Sequence, residues 1–182
     1  MDHADAQAAM TLEYSPEVLA RFSDPQHCGD LPEADGLGEV GDQGCGDRVR
    51  VMVRLTEDGA AVAQARYRIY GCPAAIACAE MTCAQAEGMF VEEIAMLTER
   101  DIVTLLGGLP AGKEHCSAIS VRALQGAVAQ ALTALLFVRG GLAADAAEFQ
   151  AKLARGDFRE YFPHACDGSC GRPAESGPPA GK

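Results

Sequence analysis

The stretch Arg48-Val49-Arg50-Val51-Met52-Val53-Arg54-Leu55 alternates apolar and basic residues with a period of two. Val49, Val51, Val53 and Leu55 fall on one side, and Arg48, Arg50, Met52 and Arg54 on the other. That is the pattern of a half-buried β-strand. Glu57-Asp58-Gly59 has turn chemistry, and residues 61–70 return with Tyr67 and Ile69 set against Arg66 and Arg68. The pair predicts a hairpin with one apolar face and one arginine ladder. Such a ladder has two readings: the solvated face of an antiparallel sheet, or a docking surface for an acidic partner.

Downstream, Gly71 breaks the strand and Pro73 suits the first position of a helix over residues 74–87, which Gly88 ends. Residues 91–97 predict a short helix. Thr98-Glu99-Arg100-Asp101 resembles a capping box and opens another helix through Leu106. Gly107-Gly108-Leu109-Pro110 interrupts the pattern. A longer helix then follows Cys116-Ser117 to Val138, with Val121, Leu124, Val128, Ala131 and Leu135 on one face. Gly140-Gly141 stops it, residues 142–155 form a last amphipathic helix, and 157–182 are irregular.

Upstream, residues 1–12 read as a loose terminus. Ser15-Pro16-Glu17 starts a helix over 16–22: serine caps, proline fits the first turn, and glutamate favours the positive end of the helix dipole. Asp24-Pro25 ends it. Residues 23–44 read as an irregular loop with a short strand at 38–40. The order gives an α+β fold: a small three-stranded antiparallel sheet, helices packed on one face, and a helical C-terminal extension. The expected organisation is a flexible N-terminus (1–12), one domain (13–140), and a C-terminal helix with an irregular cysteine-containing tail (141–182).

The chain has 182 residues, a net charge of −11, eight cysteines and no tryptophan. The acidity argues against a nucleic-acid partner, which requires Lys and Arg against phosphate. It is uneven: residues 1–47 hold eleven acids and one base, Arg21, and five arginines follow between Arg48 and Arg68. No signal peptide is read at the start, and no apolar run is read as long enough to span a bilayer. The expectation is therefore a cytoplasmic protein with no membrane partner, in which cysteines serve metal binding or thiol chemistry.

Three places concentrate that chemistry. In Cys45-Gly46-Asp47 the glycine allows a tight turn, so thiol and carboxylate approach one point. Cys72 lies between a strand end and a helix start, where the dipole favours thiolate. His115-Cys116 lies at another helix start, two residues after Lys113. Three thiolates with one carboxylate or imidazole suit Zn²⁺ or cluster iron. Cys83 shares a helix face with Cys72 but lies about 16 Å further along the axis, too far to share a metal. Cys78 lies well round the helix, and both read as core or surface thiols. His164, Cys166 and Cys170 have spacings that bind zinc, and a tail with reducible thiols has the same pattern. Cys28 beside His27 has no assigned role.

From Tyr14 to about Leu132 the chain resembles the iron–sulfur cluster assembly scaffolds, the IscU type and the amino-terminal domain of NifU. The matching stretches are Tyr14-Ser15-Pro16-Glu17-Val18, Asp24-Pro25 with Gly29, and Gly38-Glu39-Val40-Gly41 before Cys45-Gly46-Asp47. Tyr70-Gly71-Cys72, Ala74-Ala75-Ile76-Ala77, and Gly108-Leu109-Pro110 followed by Lys113-Glu114-His115-Cys116-Ser117 complete them. The resemblance implies a three-stranded sheet with helices, and a carrier rather than an enzyme. A cysteine desulfurase supplies persulfide sulfur, iron binds, ferredoxin supplies electrons, and a transient [2Fe–2S] cluster passes to apo acceptor proteins, with an Hsp70-type chaperone as a further partner. It implies Cys45, Cys72 and Cys116 as ligands, Asp47 or His115 as the variable fourth, Cys116 as persulfide acceptor, and Lys113 as a partner of its thiolate. Zinc is the alternative resting metal.

The chain departs from the family pattern in three ways. Pro73 and Cys78 stand in the usual Gly-Cys-Gly-Ser-Ala-Ile-Ala-Ser stretch, and Pro73 lacks an N–H that could bond to cluster sulfur. Leu109-Pro110-Ala111-Gly112-Lys113 replaces the Leu-Pro-Pro-x-Lys chaperone-recognition sequence. The tail past Gly141 does not match the middle domain of NifU. Two other functions fit the cysteines: a zinc-dependent sulfurtransferase of SufU type, and a structural zinc protein. The first normally carries an insertion between the second and third motifs that is not seen in this sequence. The second leaves Asp47, Lys113 and His115 unexplained.

Overall fold

The structure, a computed structural model, describes residues 14–41 and 46–158. Three strands form one antiparallel sheet in the order β1-β2-β3: β1 (Gly36–Gly41), β2 (Arg48–Leu55) and β3 (Val62–Tyr70). The helices are α1 (Pro16–Ser23), α2 (Pro73–Ala86), α3 (Val91–Met96), α4 (Glu99–Leu105), α5 (His115–Arg139) and α6 (Ala146–Arg155). The fold is α+β, with α5 lying on β1 and β2 and α2 on β3.

The alternation in β2 produces the expected two faces. Val49, Val51 and Val53 are fully buried and join Ala65 and Tyr67 in the main core. Each such valine contributes about 1.5–3 kcal/mol through apolar burial. Met52 departs from the expected pattern: it lies on the arginine face yet is buried. Its register partners are Leu37 and Arg66, and a long apolar side chain between them is shielded by their stems.

The arginine ladder is neutralised mostly within the chain. Arg50 donates to Glu39 at 2.9 and 2.7 Å, Arg68 to Asp30 at 2.9 and 2.7 Å, and Arg66 to Glu87 at 2.9 Å. These exposed pairs contribute little stability individually.

β1 runs further than the short strand expected, because its glycines admit α5. A Cβ on Gly38 would overlap the Ala123 carbonyl oxygen and sit 2.6 Å from the Ala127 nitrogen. A Cβ on Gly36 would overlap the Ala127 carbonyl oxygen in the same way. The strand backbone therefore rests directly on the helix along Ala123, Ala127 and Ala131.

That packing corrects the membrane reading. At 25 residues, with a mean hydropathy of 1.5 in its most apolar window, α5 is long and apolar enough to cross a bilayer. Arg122, Gln125 and Gln130 break the apolar run in sequence and concealed its length. In the fold, Ile119, Ala123, Leu124, Ala127, Val128 and Ala131 pack into the core of the domain.

Sequence capping signals mark the helix ends. Ser15 Oγ accepts from Val18 N–H at 3.1 Å and also donates to the Leu106 carbonyl, tying α1 to the end of α4. Thr98 and Asp101 form a reciprocal capping box at α4. α6 starts four residues later than the span 142–155 predicts, because Asp145 accepts from Glu148 N–H at 2.7 Å and fixes the first turn there. Phe137, Phe149 and Phe158 cluster around α6, with ring centroids 4.7–5.6 Å apart. The expected terminal segment 1–12, Cys45, and the tail residues His164, Cys166 and Cys170 lie outside the described residues.

A hydrogen-bonded pair, His27 and Glu80, fastens the loop before β1 to α2. Glu80 is fully buried; it accepts from His27 N–H at 2.9 Å and lies 2.6 Å from His27 Nδ1. Burial alone would raise the carboxyl pKa. Hydrogen bonds from His27 and from the Gln26 backbone, with a smaller contribution from the His27 charge, overcome it and hold Glu80 below its ordinary value.

Candidate metal centre

Three chain segments meet at the end of the sheet where β2 begins and β3 stops. Gly46 adopts φ +78°, a conformation that side chains resist, and delivers Asp47 inward just before β2. Gly71 ends β3. Cys72 is the N-cap of α2, with Pro73 in the first turn, and its thiol makes no capping bond. His115 and Cys116 open α5.

The ligand atoms of Asp47, Cys72 and Cys116 lie within 4.8 Å of one another. Cys72 Sγ is 3.9 Å from Cys116 Sγ and 4.0 Å from Asp47 Oδ2; Cys116 Sγ is 3.7 Å from the same oxygen. His115 Nε2 is 3.5 Å from Cys116 Sγ and 3.9 Å from Asp47 Oδ2. Asp47 and Cys116 are buried, while Cys72 is half-buried. Sulfur and oxygen donors at these separations can close on a single metal ion with small movements, since Zn–S bonds are about 2.3 Å long. A carboxylate beside thiolates makes the set harder and weaker for cluster iron than thiolates alone.

Two electrostatic results refine the sequence expectation. A helix N-terminus favours thiolate, yet the Cys116 thiol is pushed well up. Burial is the main cause, followed by Cys72, Cys78 and Asp47. Lys113 is held protonated more strongly than usual, chiefly by Cys72 and less by Tyr14, Cys116 and Asp47.

The two remaining helix cysteines are fully buried. Cys83 joins the main core, as its distance along the helix predicts. Cys78 packs in the same apolar cluster as Cys72 and Cys116, and burial followed by Cys72 pushes its thiol up to about 12. The helical-wheel reading set Cys78 apart from Cys72 but did not place it against Cys116, which arrives from α5.

Gly71 has a second role that its reading as a strand breaker did not reveal. A Cβ there would lie 3.2 Å from the Asp47 carboxyl group and 3.0 Å from Ala75 Cβ. Glycine leaves the space that the carboxylate occupies.

Known proteins share this chain's pattern. The NifU-like N terminal domain family model matches residues 13–133. An iron–sulfur cluster assembly scaffold protein IscU from Archaeoglobus fulgidus is 34% identical over 115 residues, covering 63% of this chain and 74% of that protein. The Aquifex aeolicus protein of the same name is 32% identical over 119 residues, covering 65% and 76%. Among solved structures, a NifU-like N-terminal protein from Brucella abortus aligns with a TM-score of 0.54 at 14% identity, covering 65% of this chain and 94% of that one. That likeness speaks for the fold. The matched span holds all three sheet strands, Asp47, Cys72 and Cys116, and the chain belongs to the NifU-like N-terminal domain family.

Proposed function

We propose that this chain is a scaffold on which iron–sulfur clusters are assembled and from which they are transferred. The observation that carries this reading is the convergence of Asp47, Cys72 and Cys116 from three separate segments, with His115 beside them. In this reading Cys45, two positions before Asp47, supplies the third thiolate, and Asp47 or His115 is the fourth ligand. The relatives named as IscU scaffolds support the role.

Sulfur enters from a cysteine desulfurase. The Cys116 thiol loses its proton and its sulfur attacks the terminal sulfur of the donor's persulfide. A new S–S bond forms on Cys116, the donor's S–S bond breaks, and the donor cysteine leaves as thiolate. An electron donor such as ferredoxin then reduces the sulfane sulfur to sulfide in the presence of iron. Lys113 neutralises the thiolates that this chemistry exposes. The reaction needs free thiols, which fits a reducing compartment such as the cytoplasm. The cluster is cargo, so the chain acts as a carrier rather than a catalyst.

A zinc-bound sulfurtransferase of SufU type uses the same donor atoms. Anaerobic reconstitution with iron, cysteine and a cysteine desulfurase separates the two. The scaffold reading expects a [2Fe–2S] visible spectrum that is lost in Cys45→Ala, Cys72→Ala and Cys116→Ala, and a Cys116 peptide one sulfur atom heavier before iron is added. A tight, colourless zinc form that never takes up iron and sulfide would sink it. Low-affinity zinc at His164, Cys166 and Cys170 is a separate expectation, read by zinc stoichiometry after those residues are replaced.

A further inference from the structure

A cavity of about 340 Å³ lies at the Leu55 end of β2, about 25 Å along the strand from Asp47 and the metal centre. Its floor is apolar: Leu55, Ala131 and Ala134 are buried there, and Val138 continues the surface along α5. The β2–β3 turn, Asp35 just before β1, and residues 144–146 at the start of α6 wall it in. Val138 and residues 144–146 lie beyond the span that matches the family model, so the shared domain does not by itself supply this cavity.

The walls are fixed by the chain's own contacts. Arg139 donates to the Asp58 carbonyl at 3.1 Å and ties the turn to α5. Gln150 Nε2 donates to Gln130 at 2.9 Å and to the Asp35 carbonyl at 3.4 Å, tying α6 to α5 and to the start of β1. An apolar, largely preformed cavity with a few polar groups is the usual form of a small-molecule site, and such sites begin at about 300 Å³. The polar groups set the charge of the occupant. Asp35, Glu57 and Asp145 line the cavity against one guanidinium, Arg54, which is committed to the Pro32 carbonyl at 2.6 Å and to Gln64 at 3.3 Å. Asp35 and Asp145 each use one oxygen to accept a backbone N–H, from Leu55 and Glu148. Glu57 has no hydrogen bond or ion pair among the described residues.

We propose that this cavity binds a small organic ammonium ion, with an apolar body on the α5 floor and its charged nitrogen among the carboxylates. An anion would meet three like charges there. A bare metal ion is disfavoured by geometry: among the described residues, the ligand atoms that lie within 4.8 Å of one another as a group of three are those of Asp47, Cys72 and Cys116, and the cavity carboxylates form no such group. An ammonium group carries several N–H donors on an extended molecule, so it engages carboxylates that are spread around a wall, while its hydrocarbon part covers apolar surface that a metal ion would leave wet. The inference does not depend on the scaffold reading.

The test is titration of the full chain, labelled with ¹⁵N, with three probes of one shape: 2-phenylethylamine, the neutral 2-phenylethanol, and the anion phenylacetate. The amine should give saturable shifts confined to the residues around the cavity, with an affinity about tenfold above that of the alcohol, and the carboxylate should bind weakest. Asp35→Asn combined with Glu57→Gln keeps an acceptor for the Leu55 N–H and should bring amine and alcohol within about twofold of each other. Ala144→Phe, at an exposed position of the wall, should fill the space and weaken all probes at least tenfold. Thermal unfolding and zinc affinity of these variants should match the parent, which separates loss of the site from loss of the fold. The proposal is overturned if the amine gives no saturable shifts at the cavity, if the alcohol or the carboxylate binds as tightly, or if binding survives Ala144→Phe. An unchanged amine preference in the Asp35→Asn, Glu57→Gln variant overturns it equally.

Discussion

Two buried polar clusters are attached to α2, and they are built on opposite principles. Around Glu80 the ionisable group is consumed: His27 supplies a backbone N–H at 2.9 Å and a ring nitrogen at 2.6 Å. Around Cys72 and Cys116 the groups are close but unsatisfied by one another. Their separations of 3.7–4.0 Å are long for bonding and short enough for an ion to bridge. The first cluster closes the fold, whereas the second leaves ligand atoms close enough for a metal ion to bridge. Loss of a partner should thus cost stability in one and binding in the other.

The largest effect should come from the metal centre. Cys72→Ala or Cys116→Ala should weaken zinc binding about a hundredfold or more, since even the loss of an outer contact costs tenfold to a hundredfold. The metal-free melting temperature should stay close to that of the parent. Competition with a chromophoric chelator and calorimetry read the two quantities. A large stability loss with affinity intact would break the contrast.

Glu80 should behave in the opposite way. Glu80→Ala should destabilise the fold by about 3 kcal/mol in urea unfolding while leaving zinc affinity within about threefold. Its pH dependence has a definite sign. Because the folded carboxyl sits below its ordinary value of 4.5, its contribution is complete above that pH. It is lost as pH falls through the lower folded value. The stability gap between the parent and Glu80→Gln should therefore narrow only in acid, and a gap that widens there contradicts the assignment.

Gly71→Ala should have the smallest effect and lies between the two classes. The new Cβ crowds the Asp47 carboxyl group at 3.2 Å, so zinc affinity should fall about tenfold with a stability cost of about 1 kcal/mol. Asp47→Ala combined with Gly71→Ala should recover part of the packing cost but no affinity, which a double-mutant cycle measures.

The contrast between the clusters also explains what could be read from sequence. β2 was legible to the residue, because alternation of valine with arginine admits one register. The convergence of Asp47, Cys72 and Cys116 was legible because each stands where an element starts, next to glycine or at a helix N-terminus. His27–Glu80 was not, since the partners are 53 residues apart and neither belongs to a local pattern. The seat of α5 on Gly36 and Gly38 was hidden for a similar reason: a glycine pair reads as loop until the helix that needs the space is in place. Cys78 was read from its own helix alone, so its approach to Cys116 through tertiary packing escaped notice.

In the proposed scaffold role, the ligand set around Asp47, Cys72 and Cys116 holds a cluster in order to give it up. The direct measurement is anaerobic transfer from the reconstituted chain to an excess of apo-ferredoxin, followed by circular dichroism in the visible region. The account predicts that the parent hands over its cluster and that Asp47→Ala does so more slowly, because the carboxylate is the weakest of the ligands. A cluster that stays on the parent chain, or an Asp47→Ala variant that transfers as fast or faster, would contradict it.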